Sequence, residues 1–74
     1  MVKKLSLKIP TKLVHKPIVY ELITQYKVKP NILEARLEGE STGKIILELE
    51  GTEDNMRKSI AYLRELSIEV SELK

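Results

Sequence analysis

The chain contains no cysteine, no tryptophan and no phenylalanine, and it has a single histidine, His15. Without thiols it has neither disulfides nor thiolate ligands for zinc or iron–sulfur clusters. One imidazole among scattered carboxylates makes no convergent donor set for a metal. The usual nucleophile arrangements are missing too, since there is no Cys–His pair and no serine at a recognisable spacing from His15. The expectation is a protein that is not an enzyme and carries no cofactor. His15 reads as an exposed residue just ahead of a helix, with a pH-sensitive ligand contact as the alternative.

A strong charge bias is also lacking. Thirteen Lys and Arg against eleven Asp and Glu leave a formal charge of +2, too little to form an electrostatic footprint for nucleic acid or anionic lipid. RNA-recognition domains stack bases on aromatic side chains of their central strands, and this chain has only three tyrosines to offer. No apolar run reaches signal-peptide or membrane-spanning length; the opening Met1-Val2-Lys3-Lys4-Leu5-Ser6 already alternates apolar and polar residues. A cytoplasmic protein, with neither a nucleic-acid partner nor membrane insertion, is expected.

The chain has 74 residues, enough for one domain, read as 1–74. So short a chain buries only about 60% of its unfolded surface. Small domains offset that deficit with disulfides, a metal or a partner chain. The first two are excluded by composition, so self-association as a homodimer is expected.

What is present is periodic. Leu5, Leu7 and Ile9 alternate with Lys4, Ser6 and Lys8, as in a strand with one buried face ending at Pro10. Pro17 suits the first turn of a helix, in which Ile18, Val19, Leu22, Ile23 and Tyr26 form an apolar stripe. Pro30 blocks that helix. A second strand then places Leu33, Ala35 and Leu37 on one face, with Ile32, Glu34, Arg36 and Glu38 on the other. After the loop from Gly39 to Gly43, Ile45, Leu47 and Leu49 mark a third strand, completing a hairpin. Thr52 is the expected N-cap of a second helix with Glu53 and Asp54 in its first turn and Met56, Ile60, Leu63 and Leu66 as its buried stripe. Ile68 and Val70 point inward from a last strand.

This order, βαββαβ, predicts an α+β ferredoxin-like sandwich: a four-stranded antiparallel sheet of order 4-1-3-2 with two helices on one face. The charges of the outer face agree with that order, because Lys4 and Lys8 on the first strand would then neighbour Glu48, Glu50 and Glu69. Other features read as structural. Glu53-Asp54, Glu38 and Glu40 stand at a helix start or beside a turn and are not taken as an acid pair. Gly39, Gly43 and Gly51 form no phosphate-binding run and read as turn residues permitting positive φ. Tyr20 and Tyr62 fall off the apolar stripes and are expected to cover core edges with their hydroxyls in water, or to contact a partner.

Several segments in order, Lys16-Pro17-Ile18, Asn31-Ile32-Leu33, Gly43 with the strand ending Leu49-Glu50-Gly51, Ala61-Tyr62-Leu63 and Ile68-Glu69-Val70, resemble the NIL domain family, named for its Asn-Ile-Leu tripeptide. The resemblance spans nearly the whole chain and implies a ferredoxin-like, ACT-related fold. It implies one of two roles. In methionine importers the domain follows the transporter ATPase, dimerises, binds methionine near the dimer boundary and inhibits transport. In the other setting it precedes an iron–sulfur ferredoxin segment in proteins linked to sulfur metabolism. The stretch Leu13-Val14-His15-Lys16-Pro17-Ile18-Val19-Tyr20 is closer to the second setting, and Lys8-Ile9-Pro10-Thr11 departs from the Phe-Thr-Gly-like strand end of importer domains.

The resemblance implies a regulatory module that senses methionine or a related sulfur amino acid at a homodimer interface. The alternative it leaves is an accessory or protein-interaction domain of an iron–sulfur ferredoxin system. The ligand-binding residues read from it are Asn31, with Ile32 and Leu33 available to a ligand side chain or a second subunit. Asn31 carries an acceptor and two donors for an amino acid's ammonium or carboxylate. Its structural alternative is to satisfy backbone groups where the strand begins. The partners implied are a second copy, a small amino-acid ligand, and a transporter ATPase or an iron–sulfur protein.

Overall fold

The computed structural model of the protein describes residues 1–13 and 16–73; the expectation for His15 lies outside the described residues. Strand β1 (Val2–Pro10) leads through a short 3-10 turn (Thr11–Leu13) to helix α1 (Ile18–Tyr26). Strands β2 (Lys29–Leu37) and β3 (Thr42–Glu50), helix α2 (Glu53–Glu65) and strand β4 (Glu69–Leu73) follow. The sheet runs β2-β3-β1-β4 with all neighbours antiparallel. This is the predicted 4-1-3-2 order read from the other edge, and the fold is the ferredoxin-like α+β sandwich.

The period-2 pattern of the central strands puts Leu5, Leu7, Leu47 and Leu49 on one sheet face. They form a single buried cluster with Ile18 and Leu22 of α1, Met56 and Leu63 of α2, and the connecting Val28 and Ile68. Burying a leucine of this kind contributes about 1.5–3 kcal/mol, so these few side chains carry most of the fold's stability. Ser59 is fully buried among them, its Oγ donating to the Met56 carbonyl at 2.9 Å.

One end of each helix has a clear local cause. Thr52 is extended and its side chain accepts from the Asn55 N–H at 3.1 Å, capping α2. Asp54 in the first turn holds Lys58 Nζ at 3.1 Å and also bonds Arg57. The Lys58 hydrogen bond and charge, helped by Arg57, lower the Asp54 pKa below its ordinary 3.8. Helix α1 ends on Lys27 in the left-handed region (φ 57°), its N–H bonded to the Leu22 carbonyl. The chain then passes Gly51 closely: a Cβ there would lie 3.0 Å from Cγ1 of the buried Val28, which explains the glycine.

Three expectations change on folding. First, β2 carries a bulge: Ile32 pairs with Leu47, but the next paired residue is Glu34, opposite Ile46, so Leu33 is the extra residue. The bulge reverses the alternation, and Ile32 joins Ala35 and Leu37 on the helix side, whereas the sequence pattern put it opposite them. Second, only Gly39 among the glycines has positive φ, at 80°. Gly43 is not a turn residue but lies inside β3, paired with both Ile9 and Leu37. Third, the Tyr62 ring stacks on Tyr26 with centroids 4.9 Å apart, and its hydroxyl is buried without a partner among the described residues rather than in water.

The register also tests the outer-face charges. Lys4 stands directly opposite Glu48, and Lys8 opposite Glu69. At the same end of the sheet, however, Lys44 lies between Arg36 on β2 and Lys8 on β1, three cations in one row.

Candidate functional site

Helix α1 is short and, among the described residues, leaves much of the inner face of β2 uncovered. Ile32, Ala35 and Leu37 therefore face the helix side without being buried, and Leu37 remains 77% exposed. Between this uncovered strand, the neighbouring face of β3, the 3-10 turn and the first turn of α1 lies an open groove of about 530 Å³. That size is within the range of small-molecule sites.

The groove is apolar. Its floor is formed by Leu7 and Ile9 of β1 and by Gly43, Ile45 and Leu47 of β3. Its walls are Ile32, Ala35 and Leu37 on one side and Leu13, Pro17, Ile18, Val19, Tyr20 and Leu22 on the other. Val19 and Ile23 are more than a third exposed, so two of the five residues of the α1 stripe expected to be core lie in the open, beside the exposed Tyr20. The 3-10 turn is tied to the β2–β3 loop, because the Thr11 N–H donates to the Ser41 carbonyl at 3.0 Å and its hydroxyl donates to the Glu40 carbonyl at 3.4 Å.

Polar groups stand at the margins. Lys16 contributes to the lining, as do Arg36 and Lys44 although their side chains belong to the outer sheet face, and among the described lining residues there is no carboxylate. Lys16 Nζ lies 3.4 Å from Glu21, and Arg36 lies 3.2 Å from Glu38 and 3.8 Å from Glu34. Such a surface can desolvate an apolar group. The described residues that line it hold no thiol, imidazole or carboxylate for acid–base or nucleophilic chemistry.

The three residues singled out by the sequence do not converge. Ile32 lines the groove. Asn31 pairs with Glu48 and so faces the other side of the sheet, exposed, with its amide making no hydrogen bond to a described residue. Leu33 is the bulged residue, 45% exposed at the sheet edge. Sequence reasoning missed Gly43, Ala35 and Leu37 as groove residues. The available signal was the second strand's surplus of apolar side chains on an edge, more than a solvated edge needs.

Fold and groove together define the class: a small ferredoxin-like α+β domain with an apolar groove beside an unpaired sheet edge. A family model, the NIL domain, matches residues 3–72, and the chain belongs to that family. The methionine import ATP-binding protein MetN of Coxiella burnetii is 37% identical over 60 residues, which make up 77% of this chain and 17% of that protein. The chain thus spans less than a fifth of that relative's length. The C-terminal domain of an ABC transporter ATP-binding protein from Enterococcus faecalis superimposes with a TM-score of 0.82 at 23% identity, over 96% of this chain and 82% of that one. The de novo designed protein Foldit4 matches with a TM-score of 0.62 at 14% identity, over 99% and 94%. At these identities both structures speak to the fold alone.

Proposed function

We propose that this domain is a regulatory, non-catalytic module of the cytoplasm that binds methionine or a related sulfur amino acid where two copies meet, and that it acts on a transporter ATPase. The observation that carries this reading is the groove of about 530 Å³ whose open wall is the edge strand β2. A thioether side chain is flexible, polarizable and apolar, and suits such a surface. Membership of the NIL family and the likeness to a methionine importer's ATPase support the ligand class and the partner.

A second copy is supported by the same strand. An unpaired nine-residue edge invites pairing. A two-fold axis at Ala35 would set Glu34 of one protomer against Arg36 of its partner, and the reverse, the self-complementary pattern that an isologous interface requires. Ile32 on that edge then offers an apolar wall for the ligand's tail, while Asn31, on the opposite sheet face, lies outside the groove.

Calorimetric titration with methionine, homocysteine and cysteine, on the native sequence and on Asn31→Ala, tests the reading. Saturable heat with at least one of them is expected, unchanged in Asn31→Ala because that side chain faces away from the groove. No heat with any of the three overturns amino-acid sensing and leaves the accessory role beside an iron–sulfur protein.

A further inference from the structure

We propose that Gly43 determines which side chain the groove accepts: its missing Cβ leaves a slot in the floor for the unbranched apolar tail of the ligand. This inference rests on the groove being the ligand site and adds the residue that selects within it.

A glycine inside a strand weakens it and asks for a reason. The other two glycines have theirs, since Gly39 needs φ of 80° and a Cβ on Gly51 would lie 3.0 Å from Val28 Cγ1. Gly43 has neither. Its φ is not in the left-handed region, and a Cβ there would meet only the Arg36 carbonyl oxygen at 3.7 Å, the Ile9 carbonyl oxygen at 4.0 Å and Leu37 Cδ2 at 4.0 Å, all ordinary contacts. No turn requires it either, because it is paired on both sides within β3. The backbone at this position therefore has room for a Cβ.

What a side chain would occupy is the groove. Gly43 shares its face with Ile9 on β1 and Leu37 on β2, directly across in register, and all three line the cavity together with Ile45. The gap between these flanking side chains is bounded by strands about 4.8 Å to either side of β3, a slot one unbranched chain wide. A methylthioethyl or butyl tail can lie in it over the bare backbone, whereas a β-branched side chain is too wide. Since no structural need places glycine there, the open slot itself is the feature served.

The test compares the native chain with Gly43→Ala and Gly43→Val, using thermal melting and titration with methionine, norleucine, isoleucine and alanine. Both variants are expected to melt at or above the native temperature. The native chain is expected to prefer methionine and norleucine to isoleucine. In Gly43→Val the affinity for the two unbranched ligands falls by roughly tenfold or more, the usual effect of a methylene-sized change in an apolar pocket, while weak alanine binding is unchanged. Equal methionine and norleucine affinity in native and Gly43→Val protein overturns the inference. If the native chain binds none of these amino acids, the sensing reading has failed. The slot is then judged by the fluorescence of anilinonaphthalene sulfonate, which must brighten with native protein and dim in Gly43→Val for the inference to stand; equal brightness, or none with either, overturns it.

Discussion

Tyr62 and Asp54 show how single side chains depart from what their types predict. The Tyr62 hydroxyl is buried without a partner among the described residues, while its ring stacks on Tyr26. A buried unpaired hydroxyl costs stability and an apolar isostere does not, so Tyr62→Phe should leave the denaturant midpoint unchanged or raise stability by up to about 1 kcal/mol. A clear loss would show that the hydroxyl has a partner. Asp54 is held ionised by Lys58 first and Arg57 second, which lowers its folded pKa below 3.8. Its contribution is therefore fully present above the unfolded value and disappears as pH falls through the folded one. Asp54→Asn should melt below the native chain at pH 7, and the two curves should converge in strong acid. A gap independent of pH would assign the effect to something other than charge. Neither feature follows from residue type: the first depends on which helix face meets α1, the second on side-chain geometry within a turn.

At the scale of elements, the outer sheet face carries one avoidable strain. Lys44 stands between Lys8 and Arg36 in direct register, and like charges opposite one another destabilise a sheet by a few tenths of a kcal/mol per pair. Lys44→Glu should accordingly raise stability by roughly 0.5 kcal/mol at low salt, with the gain shrinking as salt screens it. Unfolding in urea with and without added salt measures both. The strand pattern was legible wherever its alternation is unbroken, as in β1 and β3. It failed in β2 at Leu33, where one extra residue reverses the alternation. A bulge of this kind has no composition signal, because either phase of Ile32-Leu33-Glu34-Ala35 puts an apolar residue on each face.

At the scale of the molecule, the proposed dimer makes the charge order of β2 decisive. Arg36→Glu places like charges at both symmetry-related contacts. Association should then weaken by about 1–2 kcal/mol, or roughly five- to thirtyfold in the dimer constant. The reversed pair, Glu34→Arg with Arg36→Glu, should restore it. Sedimentation should report a mass near twice the 8.5 kDa chain for the native and doubly reversed proteins, with a shift toward monomer at equal concentration for Arg36→Glu. Three indistinguishable sedimentation profiles would rule out pairing along this edge. The groove and the edge belong together at this scale, since a partner on β2 would cover Leu37 and give the open wall its missing half.

Element order, strand order and most of the core were set by local information: leucine alternation, proline and glycine punctuation and the Thr52 cap act within a few residues, and βαββαβ connectivity leaves little choice of topology. Tertiary structure alone decided the bulge, the shortfall of α1 over β2 and hence the apolar groove. These depend on how far one layer extends over another, which no local pattern encodes. For that reason Ile32 could be picked out from its tripeptide, but Gly43, 11 positions further along the sequence, could be recognised as part of the same surface only once the strands were paired.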